Sequence, residues 1–192
     1  MKYLILIGLI FTASFVNGQD SLNSYRIQKV HIKNSGMKIL GSWAILNLVP
    51  GIIASNNTSG SQKYFYQMNT IWNSVNLGAA IIGLATITNN KNKSAIQEFK
   101  TQRQIEKLFL INAGLDLGYV TAGLYLHHRG SINNSDKLTG YGSSIILQGG
   151  FLFFFDGLMY KAENKNGRLL RAILKNNTLT FDGRQIGLHL NL

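Results

Sequence analysis

Two aspartates in apolar surroundings are the residues of this chain best placed to do chemistry. Asp116 sits near the middle of LFLINAGLDLGYVTAGLYLHH, residues 108–128, and Asp156 lies in YGSSIILQGGFLFFFDGLMY, residues 141–160. A charged Asp at the centre of a membrane helix costs about 2.5 to 3.5 kcal/mol on insertion scales, so it must find donors or hold a proton. Asn73, Asn76 and Gln148 offer amide N–H groups, and Tyr119 offers a hydroxyl. Asn112, Asp116, Tyr119 and Gly123 follow spacings of 4, 3 and 4, which places them on one helix face. Gly114, Gly118 and Ala122 form an adjoining stripe of small residues suited to close helix packing.

Three kinds of work fit such a polar interior. The first is structural: the polar groups fix helix register, and the protein serves as a structural or interaction component within a larger complex. The alternative is a small proton, ion or solute pathway in which Asp116 titrates and Asp156 guards one mouth. Four short helices make a thin wall for a conduit, so that reading asks for an oligomer. The weakest expectation is an intramembrane enzyme with Asp116 and Asp156 as an acid/base pair. Such carboxylates must reach a common substrate, and the sequence places Asp116 centrally and Asp156 near a helix end.

The motifs of intramembrane aspartyl proteases are missing around both aspartates. No P-loop, dinucleotide fingerprint, HExxH or GxSxG pattern occurs. Without cysteine there is no disulfide, thiol nucleophile or Cys-based metal site. His127 and His128 are adjacent and would point about 100° apart on a helix, a poor metal pair. No metal, cofactor or catalytic residue is therefore expected.

Holding these groups takes helices of membrane length. A hydrocarbon core of ~30 Å needs ~20 helical residues. Runs over about 36–55, 71–88, 108–128 and 141–160 supply four such segments, with apolar residues blocked together instead of dispersed. A single proline, 20 glycines and a charged fraction of 14% fit the same class, against a glycine-rich soluble helical protein as the bland alternative. On the second run Asn69, Asn73, Asn76, Ala80 and Gly83 recur at spacings of 4, 3, 4 and 3, turning amides and small residues to one side. Pro50 should kink the first run or mark its last turn, and Gly130 reads as the C-cap of the third before a polar loop over 131–140. From Ala95 nothing breaks a helix, so a long element should lead into the third run, which becomes the central wall of the bundle.

The flanks differ in composition. Residues 1–18, MKYLILIGLIFTASFVNG, read as a bacterial-type signal peptide cleaved before Gln19, with an uncleaved first helix as the alternative. Residues 21–35 read as an interfacial amphipathic helix. Residues 19–161 then form the four-helix domain, and 162–192 a tail outside the membrane. The tail contains an amphipathic segment around 169–174, and a β-hairpin in which Asp182-Gly183 joins Thr178–Phe181 to Gln185–Leu192.

A net charge of +11 and a pI near 10.0 suggest nucleic acid at first sight. The Lys and Arg residues, however, flank the apolar runs, where anionic headgroups account for them better. The bilayer is thus the expected partner, with a second copy or another membrane protein beside it, and nucleic acid is not. Basic residues concentrate before residue 36, between 89 and 107, and in the tail, whereas the remaining loops carry Lys63, Arg129 and Lys137. The positive-inside rule puts the first group in the cytoplasm, but a cleaved signal exports the mature N-terminus. The cleavage pattern favours export.

YFYQMNTIWNSVNLG, INAGLDLGYVTAGLYL and YGSSIILQGGFLFFFDGLMY resemble an uncharacterised family of small bacterial four-helix integral membrane proteins, a domain of unknown function. The likeness spans about residues 30–160 and rests on polar positions in apolar context. It implies an all-α membrane bundle in the bacterial inner membrane and supplies no catalytic residues.

Overall fold

A computed structural model describes the backbone of residues 2–87, 93–175, 177–181 and 186–190, and side chains over 20–87 and 93–174. Four long helices make the body: α1 (Lys2–Asn57), α2 (Gly60–Ala85), α3 (Ala95–Ile132) and α4 (Asp136–Lys175). Two strands follow, β1 (Asn177–Phe181) and β2 (Ile186–Leu190), paired antiparallel with Leu179 opposite Leu188. The turn positions between them, Asp182 to Gln185, lie outside the described residues.

The helices are longer than the apolar runs, and several expected breaks are absent. α1 passes without interruption from the stretch 21–35 into 36–55 and continues past Pro50, so the interfacial helix is not a separate element. One proline removes one N–H donor, a loss the rest of a 56-residue helix absorbs. The loop expected over 131–140 shrinks to three residues. α3 runs on to Ile132, and its C-cap is Asn133 instead of Gly130. Gly130 lies inside the helix for a packing reason: a Cβ there would collide with the backbone of Thr139 on α4. α4 likewise runs straight through Lys161 to Lys175, absorbing the amphipathic segment around 169–174. Between Tyr160 and Lys175 the sequence has no proline, and its one glycine, Gly167, packs against Glu106 and Arg171.

α3 starts with a capping box: the Ser94 side chain accepts from the Gln97 N–H, and the Gln97 side chain accepts from the Ser94 N–H. The helix packs closely along α4 alone, while α4 also packs on α2 and α1, and α1 packs on α2. α4, not α3, is therefore the central element. The reason lies in its small residues. A Cβ on Gly123 would come within 2.9 Å of the Gly142 carbonyl, and one on Gly149 within 3.1 Å of the Asp116 carbonyl. Asp116, Val120, Gly123, His127 and Gly130 thus form the α3 side of the seam, at spacings of 4, 3, 4 and 3. Gly114 and Gly118, expected to pack, have nothing within 4 Å, and Ala122 is exposed. Gly114 and Gly118 stand about 160° around the helix from Asp116 and Ala122 about 120°, on the face turned away from α4.

Three helices, over Asp20–Asn57, Ala95–Ile132 and Asp136–Leu174, are long and apolar enough to cross a membrane. α2 falls short because amides and Ser/Thr interrupt its apolar run. Burial is inverted relative to a water-soluble domain. Leu46, Val75 and Phe154 are about 70% exposed (72%, 69% and 70%), whereas Asn73, Gln148 and Ser144 are fully buried. The apolar core is small, centred on Leu40, Ala80, Phe155 and Met159. Trp43 stacks on Phe151 beside it, with ring centroids 4.0 Å apart.

Candidate functional site

The buried polar groups fall into three sets at different levels of the bundle. The first joins α1, α2 and α4. Trp43 Nε1 donates to Gln148 Oε1 at 3.0 Å, and Gln148 Nε2 donates to Asn69 Oδ1. Asn69 Nδ2 donates to Asn47 Oδ1 at 3.3 Å, and Asn47 Nδ2 returns to the Trp43 carbonyl at 2.8 Å. Asn73 Nδ2 adds bonds to the carbonyl and side chain of Asn69. Interhelical hydrogen bonds in membrane proteins average about 0.6 kcal/mol, so the three interhelical links of this ring contribute about 2 kcal/mol in sum and specify one register of three helices.

The second set is the aspartates. Because α4 continues well beyond Tyr160, Asp156 is not near a helix end, and it reaches Asp116 across the α3–α4 contact. The two carboxyl groups lie close to each other. Both are buried, at 3% and 6% exposure. They line a cleft of about 440 Å³ between α2 and α3, floored by Leu152 and Phe155 of α4 and Leu40 of α1. Asn76 and Asn112 face the same space, and Trp72 meets Tyr119 edge-on there at 5.0 Å. Neither Asp116 Oδ2 nor Asn76 Nδ2, both buried, has a hydrogen-bond partner. An unmade bond of this kind costs about 1 to 3 kcal/mol. Of the sequence-derived candidates, Asn76, Asn112, Asp116, Tyr119 and Asp156 therefore meet around one cleft. Asn73 and Gln148 belong to the amide ring instead.

The third set lies at the end where α1, α3 and α4 extend beyond their apolar runs, and sequence reasoning missed it. Tyr25 Oη donates to Gln102 Oε1 at 2.7 Å, and Gln102 Nε2 donates to the carbonyl and side chain of Glu163 at 2.8 and 3.1 Å. Arg171 Nη1 pairs with Glu106 at 3.0 Å, and Lys29 pairs with Glu98 at 2.8 Å. Burial pushes the Glu163 carboxyl above the ordinary glutamate range, against the opposing effects of the Gln102 bond and the Lys29 charge. Burial, aided by Glu98, likewise raises the Tyr25 hydroxyl. A signal for this set did exist. Glu98, Gln102 and Glu106 recur every four residues and so share a helix face, although in a basic connector they read as solvated charge.

The arrangement can hold a proton, bind a cation or accept from a donor group in the cleft. Among the described residues no group of three or more His, Cys, Asp or Glu is placed to hold a metal ion. No curated protein matches the chain, and no solved structure does. One family model matches residues 39–157, a range that takes in the amide ring, the cleft, both aspartates and the α3 members of the third set, Glu98, Gln102 and Glu106, but not Tyr25, Lys29, Glu163 or Arg171. The chain belongs to the family of unknown function DUF6992.

Proposed function

We propose that this is an integral, multi-pass protein of a bacterial inner membrane whose Asp116–Asp156 pair is a proton- or cation-holding site. The observation that carries the reading is the contrast between the two polar sets inside the apolar zone. Around Trp43, Asn47, Asn69 and Gln148, three amides and one indole join α1, α2 and α4, so the register of those three helices needs no carboxylate. The aspartates are surplus to that architecture, carry an unpartnered oxygen and face a cleft. The inverted burial supports the membrane setting. α2 serves as the fourth span, its amides turned inward and Ile71, Val75 and Ile82 turned to lipid. Residues 1–18 serve as the signal peptide.

The test is infrared titration of the carboxyl stretch in reconstituted protein between about pH 5 and about pH 9. In wild type one protonated carboxyl that Asp116→Asn abolishes is expected, beside the separate Glu163 band, which that variant keeps. A wild-type band that never appears would remove the reading. Proteoliposome proton flux then separates a site from a pathway, because unchanged flux in well-folded Asp116→Asn excludes conduction.

A second reading, a structural or interaction component, is favoured by one observation: Gly114, Gly118 and Ala122 form an uncovered small-residue face on α3. A second copy of this chain or another membrane helix is the partner such a face suits. The two readings are compatible, since that face points away from the α4 seam.

A further inference from the structure

The cleft between α2 and α3 has properties that select a ligand. Its rim is apolar and open: Ile71, Val75 and Leu115 line it and are more than half exposed, which in a bilayer means access from the acyl chains. Its volume of about 440 Å³ lies in the range of small-molecule sites. At its base lie the Asp116 and Asp156 carboxyls, which in the carboxyl-pair reading share one proton and so leave one negative charge. The described residues lining the cleft include no Lys, Arg or His, so nothing in the chain neutralises it there. The groups facing the pair are Leu40 from α1, Asn76 from α2 and Asn112 and Tyr119 from α3, and of these only the Tyr119 phenol is ionisable.

We propose that this cleft binds a membrane-dissolved organic amine in its protonated form, an inference that rests on the carboxyl-pair reading above. The ammonium supplies the missing positive charge beside the Asp116 and Asp156 carboxyls, and an ether or hydroxyl oxygen elsewhere on the ligand meets the polar Asn76 and Asn112 edge of the cleft. Trp72 and Tyr119 supply an aromatic wall for the cation and for an apolar ligand body. A bare metal cation fits less well, because largely apolar walls cannot provide the six or more oxygens that such ions take.

The experiment is equilibrium binding of radiolabelled propranolol, an aryloxy amino alcohol, to the full chain in lipid nanodiscs, with empty nanodiscs as the partition control. Saturable binding near one per chain is expected, weakened about tenfold or more in Asp116→Asn and in Val75→Trp, which fills the rim. A naphthyl ether without the amine should not compete. Thermal unfolding of each variant reports whether it is folded. Wild-type protein whose carboxyl band titrates but which binds no more amine than empty nanodiscs overturns this inference and leaves the carboxyl-pair reading intact. Absence of the carboxyl band removes both. An inter-chain disulfide formed between Val75→Cys and Leu115→Cys would show a second copy in the cleft and also overturn the proposal.

Discussion

Gln148 donates to Asn69 and accepts from Trp43, so one side chain ties α4 to both α1 and α2. Replacing it with leucine leaves the Trp43 N–H and part of Asn69 unpaired, at about 1 to 3 kcal/mol. The expected outcome is a matching loss of stability in reversible detergent unfolding, with helix content retained. Glu163 should behave in the opposite way. Its pKa is raised in the folded state, so the fold binds its proton more tightly than the unfolded chain does. Its burial is therefore free of penalty below the ordinary glutamate range and costs stability as pH rises through that range toward the folded value. Glu163→Gln keeps an acceptor for Gln102 and should raise the unfolding temperature at neutral pH. At about pH 4 the difference from wild type should vanish, and a gain that is equal at both values would refute the assignment to ionisation.

At the scale of elements, the glycines of α3 divide into two populations. Gly123 meets the α4 backbone so closely that a Cβ would stand 2.9 Å from the Gly142 carbonyl, whereas Gly118 has open space. Gly123→Leu should push α3 from α4 and separate Asp116 from Asp156, seen as loss of folded protein in detergent. Gly118→Leu should fold as wild type, and any change it makes should appear in oligomeric state by light scattering. The sequence could show that both glycines sit in one helix. It could not show which side α4 would take, because Gly114-x-x-x-Gly118 is as good a packing pattern as Gly123 with Gly130. The decision came from α4, whose Gly142 and Gly149 fit the second face.

For the whole molecule, the basic end is built by the α1 segment around Tyr25 to Lys33, the start of α3 and the end of α4, and the short turns at Thr58 and Asn134 form the other end. With a cleaved signal, a reporter fused after Asn92 should be exported and one fused after Gly60 retained; a cytoplasmic reporter at 92 would sink that topology. Composition and blocked hydropathy determined the helical class, the inward amides of α2 and the aspartates as residues to watch, because period and polarity are local properties of a chain. Where helices end was less legible, since close packing carries Gly130 and Gly167 inside helices that local signals would stop or split. Only the tertiary structure placed Asp156 against Asp116, divided the amides between a closed ring and an open cleft, and made α4 the centre. Those are relations between helices, set by which faces interlock, and no spacing within one helix contains them.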